Sequence, residues 1–416
     1  MTTAVIGAQW GDEAKGKITH FLARDAHYTV RFNGGPNAGH TVKDRHGTAK
    51  LHHIPVGTLH EGCKGVLGHG MVIDPWTLQD ELAALEAQGR PRPKLGFSDR
   101  VHLILPHHKL REQVQGSAQR IGTTCRGIGP CYEDRAGRRG LRLGELDEED
   151  TVRAALGAGI AELEAAGCKD PYDVEKVLRD LQEFNEQARE QVGDMRAEVE
   201  AALASGRRVI FEGAQGTLLD LDWGTYPYVT SSSTTVHGVG WGTGIRSEQL
   251  TEVIGVVKAY TTRVGEGPFP SEDNGAAGEQ LRERGGEYGT TTGRPRRCGW
   301  LDLVALRYAC RINGFTGLAL TKLDVLSGLS EVNLCVAYRT SAGTVEDFPA
   351  ASRELSSVAP VYESLPGWNE DIGGTRCEDE LPRAARRLLS LVGDFVGVRV
   401  SLVGVGPAEE EIVVID

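Results

Sequence analysis

No apolar run among the 416 residues approaches the ~18 needed to cross a bilayer, so no membrane-spanning segment is expected. The start, Met1-Thr2-Thr3-Ala4-Val5-Ile6, has no basic stretch ahead of an apolar one, and no secretion signal is expected. The eight cysteines are scattered, with none spaced Cys-x-x-Cys. That argues against a zinc site or a disulfide framework and for free thiols in a reducing, cytoplasmic setting. Basic charge is in deficit: 46 Lys and Arg against 58 Asp and Glu give a net charge of -12. Such a field disfavours non-specific nucleic-acid or membrane-surface binding and leaves room for a local basic pocket. There is no internal repeat and no low-complexity linker. Residues 1–416 are therefore expected to form one domain, with a helical insertion at about 149–206.

Glycine, by contrast, is abundant, and it clusters after short aliphatic runs. Thr3–Gly7 reads as a buried strand that enters Gln9-Trp10-Gly11-Asp12-Glu13-Ala14-Lys15-Gly16-Lys17 and then a helix near Ile18–Leu22. Strand, Gly- and Lys-rich turn and helix start form a phosphate cradle, with backbone N–H groups facing an anion. The spacing follows the P-loop pattern as far as Lys17. Ile18 then stands where a Mg²⁺-binding hydroxyl belongs. Asp12 and Glu13 repel phosphate, so they suggest a metal ligand or a base; a solvated Gly/Lys turn is the alternative.

Tyr28–Phe32 likewise enters Asn33–Thr41, and Arg207–Glu212 enters Gly213–Thr217. Short apolar runs stand at Gly65–Gly68 and Val101–Leu105; further strands are expected at Val253–Tyr260, Gly317–Thr321, Val332–Ala337 and Val396–Val403, and helices near Leu301–Arg311 and Leu381–Val392. Apolar positions stepping by three and four from Val174 to Ala202 predict one long amphipathic helix, and residues 115–144 read as a long loop. Alternation of strands and helices predicts an α/β fold with a large, mainly parallel central sheet flanked by helices. In such a sheet, loops leaving the carboxyl ends of strands share one crevice.

Thr321-Lys322-Leu323-Asp324 ends one such strand. An aspartate there can accept from guanine N1–H and N2–H₂ while the lysine stem packs on the base, which selects GTP over ATP. Taken alone, a Lys-x-Asp pair reads more readily as surface polar residues, since it occurs often by chance. Gly289-Thr290-Thr291-Thr292-Gly293-Arg294-Pro295-Arg296-Arg297 gathers guanidinium forks and hydroxyls suited to a small anion. His52, His53, His107 and His108 read as structural or surface residues without metal-ligand spacing.

Together these stretches resemble the adenylosuccinate synthetase family, which condenses IMP with L-aspartate using GTP. The resemblance is carried by Gln9–Lys17, Asn37–Thr41, Ile121–Thr124 with Arg126–Pro130, Phe211–Asp220, Gly224–Ser232, Thr291–Asp302 and Thr321–Asp324. They run in the family's order over nearly the whole chain. It implies a catalytic set of Asp12, Lys15, His40 and Gln215. Asp12 takes the N1 proton of IMP and, with the Gly39 carbonyl, ligates Mg²⁺. His40 acts as acid on the transferring phosphoryl, Lys15 neutralises phosphate charge, and Gln215 orients the base.

It further implies a GTP site of Gly11, Asp12, Glu13, Ala14, Lys15, Gly16, Lys17, Gly39, His40, Thr41 and Arg296, with Lys322, Leu323, Asp324, Gly404, Val405 and Gly406 at the base. IMP would meet Asp12, Asn37, Thr124, Gln215, Thr230 and Arg294, and also Arg138 from a second subunit, which implies a homodimer. L-Aspartate would meet Thr290, Thr291, Thr292, Gly293, Arg294 and Arg296. The chain departs from the family pattern at Ala14 and Cys125, both normally glycine, at Pro36, and at Gly404, commonly serine. Competing readings are a synthetase of the same scaffold acting on dGMP, a GTP-binding switch, and a catalytically silent binding module. Retention of Asp12, His40 and Gln215, the loss of the hydroxyl at Ile18 and the arginine loop speak against them.

Overall fold

The computed structural model describes residues 1–114, 116, 125–169, 171–288, 293, 295–349 and 351–415. Strand β1, Thr2–Gly7, is buried along its whole length. Beyond Thr2 and Thr3 it is apolar on both faces, with Ala4 and Ile6 on one and Val5 on the other, as a strand covered on both sides requires. It pairs in parallel with Val209–Glu212 on one side and Glu252–Lys258 on the other. Among the described residues this central sheet has ten strands. Their order is Ile412–Val414, Val400–Gly404, Gly317–Thr321, Glu252–Lys258, β1, Val209–Glu212, β2 (Tyr28–Arg31), Lys64–Leu67, Leu95–Ser98 and Val192–Gly193. All neighbours are parallel except the terminal pair Val400–Gly404 and Ile412–Val414. The expected mainly parallel α/β sheet is therefore present.

A second, mostly antiparallel sheet holds Tyr260–Arg263, Arg297–Asp302, Leu329–Thr340, Gly343–Val345 and Ala359–Trp368. A hairpin of β3 (His40–Asp44) and β4 (Gly47–Leu51) follows the second glycine loop. No helix of the described residues is long and apolar enough to cross a membrane.

Several local expectations change. The long helix from Val174 is two helices, Val174–Ala188 and Met195–Ala204, separated by the short strand Val192–Gly193. The three-and-four stepping runs through the break because both segments bury the same kind of face. The break was legible in Asp194, whose side chain accepts from Ala197 N–H and caps the second helix. The tract 115–144 is not all loop: Ile128–Gly137 is helical, and Pro130 sits in its first turn, where an amide lacks a partner anyway. Val253–Tyr260 divides into two strands, one for each sheet. The run at Val101–Leu105 yields only the two-residue strand His102–Leu103. The helix Arg383–Val396 extends into the segment expected to be strand, which begins at Val400. Helices Pro75–Ala87 and Pro106–Val114 were missed, although each begins with a proline, a common first helical residue.

β1 reaches α1 (Lys15–Leu22) through a tight turn in which Gly11, Asp12 and Ala14 have φ of 85°, 60° and 63°. The methyl of Ala14 is strained there by ~1–2 kcal/mol, because Cβ crowds a carbonyl in the left-handed region. Cys125, the other departure from glycine, also has a positive φ, of 52°. Ala14→Gly should stabilise the protein by ~1 kcal/mol, less than the full strain because glycine loosens the unfolded chain. Urea unfolding of both proteins checks this, and a lower midpoint for the variant would contradict it.

Candidate active site

The parallel strands place four loops on one edge of the sheet: those after β1, β2, Val209–Glu212 and Gly317–Thr321. In the first, Glu13 is fully buried. Its Oε1 accepts from Gln9 N–H at 3.1 Å and Gly11 N–H at 2.8 Å, and its Oε2 holds Lys15 Nζ at 2.6 Å. Thr321 Oγ1 donates to the Glu13 carbonyl at 2.8 Å, which fastens this loop to the fourth. A Cβ on Gly7 would stand 2.5 Å from the Gln215 carbonyl oxygen, so only glycine lets the first and third loops approach. Glu13 thus shapes the turn, while Asp12 turns outward and pairs with Arg296 Nε at 3.0 Å.

His40 is buried, and its Nδ1 bonds the Oε1 of Glu212, a fully buried carboxylate whose Oε2 accepts from Val56 N–H at 2.8 Å. Burial lowers the His40 pKa by more than Glu212 raises it. A Cβ on Gly16 would meet His40 Cβ at 3.1 Å, so α1 begins directly against this ring. Gln215 has a φ of 58° and leaves both of its buried amide atoms, Oε1 and Nε2, without partners among the described residues. Asn33 ties the second loop to the third through Ala214 N–H at 2.9 Å. Gly39 and Thr41 are exposed, and Asn37 and Thr230 are half-buried at the same edge.

At the other end, Lys322 has a φ of 58° and donates to the Gly285 carbonyl at 2.8 Å and to Glu287 Oε1 at 2.7 Å. Asp324 is half-buried, its Oδ1 has no partner among the described residues, and burial raises its pKa. Lys17 reaches the carbonyls of Gly406 at 2.6 Å and Glu411 at 2.7 Å, and burial lowers its ammonium to about 8. Its charge braces the segment after Val400–Gly404 instead of standing free. Arg297, one of the three loop arginines, forms a fork to Glu272 at 2.5 and 2.7 Å.

Sequence reasoning assigns no role to Glu287 or Lys258, both fully buried, or to Glu212 as the partner of His40. A glutamate closing the otherwise apolar strand Val209–Glu212 is the signal that was available for the last. Thr124, Thr290, Thr291, Thr292 and Arg294 lie outside the described residues. Gly293 is described and has a φ of 64°. Arg138 is exposed at the end of helix Ile128–Gly137, away from these loops in sequence and without a side-chain partner among the described residues. His107 and His108, read as structural, do lie with Asp134 in a group close enough to hold a cation. Arg111 and Arg139 already bond that carboxylate at 3.0 and 2.8 Å, and their charges oppose a metal there.

The adenylosuccinate synthetase family model matches residues 4–413. The adenylosuccinate synthetase of Moorella thermoacetica is 49% identical over 420 residues, covering 99% of this chain and 98% of that protein. That of Halothermothrix orenii is 48% identical over 414 residues, covering 98% and 97%. A fully ligated Plasmodium falciparum adenylosuccinate synthetase superposes with a TM-score of 0.94 at 40% identity, covering 100% of this chain and 99% of that one. A cyanophage S-2L succinoaminodeoxyadenylate synthetase bound to dGMP and dATP is 20% identical with a TM-score of 0.64 over 99% and 94%, and it shares the fold alone. The turn held by Glu13, the paired His40 and the near full-length matches lead to one assignment: the chain belongs to the adenylosuccinate synthetase family of GTP-dependent ligases.

Proposed function

We propose that this chain, as a cytoplasmic homodimer, condenses IMP with L-aspartate in a Mg²⁺- and GTP-dependent reaction that uses the residues at the sheet edge. The observation that carries the reading is the set of buried polar groups left without partners there. Gln215 offers both a donor and an acceptor to a purine, and Asp324 Oδ1 offers an acceptor to guanine. Unpaired buried polar atoms are costly, so they mark where a ligand completes the hydrogen bonding.

Asp12 removes the N1 proton of IMP. The 6-oxygen attacks the γ-phosphorus of GTP, the bond to the bridging oxygen breaks, and GDP leaves. The amino nitrogen of L-aspartate then adds to C6, loses a proton, and the phosphate departs with the former 6-oxygen. Gln215 holds the base so that N1 faces Asp12. Lys15, fixed by Glu13, and the backbone N–H groups of the first turn oppose the charge spreading over the transferring phosphoryl. Glu212 and the incoming phosphoryl both favour a charged His40, whose Nε2–H then donates to the phosphoryl.

Asp12, about a third exposed, and the Gly39 carbonyl, with open space around its Cα, are hard oxygen donors that suit Mg²⁺ and would hold it. Bound there, the ion supplies positive charge to the phosphates. Arg138 stands exposed and without a side-chain partner among the described residues, which supports its reaching the IMP of a second subunit.

The test is an assay of purified protein with IMP, L-aspartate and GTP, following adenylosuccinate and GDP. Turnover is expected with IMP; turnover with dGMP alone would overturn the substrate, and GTP hydrolysis without a purine acceptor would point to a switch. Asp12→Asn should lose at least ~10²-fold in kcat while still binding GTP, and substantial residual turnover would remove Asp12 as the base. Replacing GTP by ATP should slow the wild-type reaction but make less difference in Asp324→Ala. Equal rates with the two nucleotides in the wild type would remove the guanine assignment.

A further inference from the structure

Glu287 connects the two ends of the site. It has no exposed surface, and its carboxylate is filled on both sides. Oε1 accepts from Lys322 Nζ at 2.7 Å, Lys258 Nζ at 3.0 Å and the Tyr260 hydroxyl at 2.5 Å. Oε2 accepts from Arg296 Nη1 at 2.8 Å, and the Glu287 carbonyl accepts from Arg296 N–H at 2.9 Å. The surrounding cations hold its carboxyl well below the usual range, although burial alone raises it.

Three cations on one buried anion leave an excess of positive charge. Asp12, on the far nitrogen of Arg296, offsets part of it. Such a cluster is stable when a further anion completes it, because uncompensated buried charge is costly. Lys258 is fixed within its strand, bonded also to Thr262. Lys322 and Arg296 differ: each is partly exposed and has one end on Glu287 and the other toward the loops described above. Lys322 precedes Asp324 by two residues, and Arg296 reaches Asp12.

We propose that Glu287 is a positioning residue for two co-substrates at once: it sets the Lys322 stem for guanine and the Arg296 fork for the anionic end of L-aspartate. This rests on the reading of Lys322 and Arg296 given above. Without the carboxylate both side chains lose their shared anchor and repel one another, while none of the groups that meet the purine of IMP bonds it directly: Gln215 is not attached to it, and Asp12 reaches it only through Arg296.

Steady-state kinetics of the full-length enzyme test this. Glu287→Gln should raise KM for both GTP and L-aspartate by about tenfold, the worth of a charged hydrogen bond, and leave KM for IMP unchanged. It should also narrow the preference for GTP over ATP. Glu287→Asp, which keeps the charge the buried cations need, should recover part of both losses, and it carries the test if the glutamine variant does not fold. Lys322→Ala and Arg296→Ala provide the reference. Raised KM for GTP and for L-aspartate respectively in those variants, with unchanged values in both Glu287 variants, would overturn the proposal alone. Unchanged values in the Lys322 and Arg296 variants would overturn the site reading and the proposal together. Equal rises for all three substrates in the Glu287 variants would mean a general structural role and would also overturn it.

Discussion

A single buried carboxylate holds the turn on which the site is built. Glu13 satisfies two backbone N–H groups that face inward between β1 and α1, and it fixes Lys15 beside them. Without it those amides would be buried and unpaired, at a cost of ~1–3 kcal/mol each. The left-handed residues Gly11, Asp12 and Ala14 would lose the contacts that keep them in a sparsely populated conformation. With the turn fixed, Asp12 is carried outward, where a proton or a cation can reach it. Two adjacent carboxylates in one short turn therefore sit in opposite surroundings, Glu13 buried and Asp12 partly exposed.

Charge alternates across the site from that point. Asp12 faces Arg296, Arg296 faces Glu287, and Glu287 faces Lys258 and Lys322. Burial raises the Glu287 pKa, but Lys258 and Lys322 outweigh it and keep that carboxylate ionised. A chain with a net charge of -12 concentrates positive charge here by collecting it around one internal anion. The acidic exterior and the positive crevice are compatible because fields at exposed groups are screened by salt far more than those in the crevice.

Much of this was readable from sequence, and the failures have identifiable causes. Gly- and Lys-rich turns after buried strands located the crevice, since both the turn chemistry and the strand periodicity are local. Lys322 and Asp324 stood out for the same reason, a polar pair directly after a buried strand. Glu287 and Glu212 were passed over because their importance comes from partners distant in sequence: Glu287 meets Lys258 and Lys322, and Glu212 meets His40 and Val56. Glu13 was read as a companion of Asp12 because sequence does not tell which of two neighbouring acids points inward. The long helix at Val174 failed differently: its apolar stepping was real, but a capping aspartate and a two-residue edge strand interrupt it. Ala14 shows the converse, a sequence oddity whose left-handed φ the coordinates bear out.

The central place of β1 also bears on how the protein is made. β1 pairs with Val209–Glu212 and Glu252–Lys258, which lie more than two hundred residues later in the chain and are synthesised after it. At ~5–20 residues per second its apolar edges wait ten seconds or longer for their partners. The hairpin of β3 and β4, whose contacts are local, can close long before that. Translation thus builds the periphery ahead of the middle of the sheet, and β1 stays open to other unpaired strands until residue 258 has emerged.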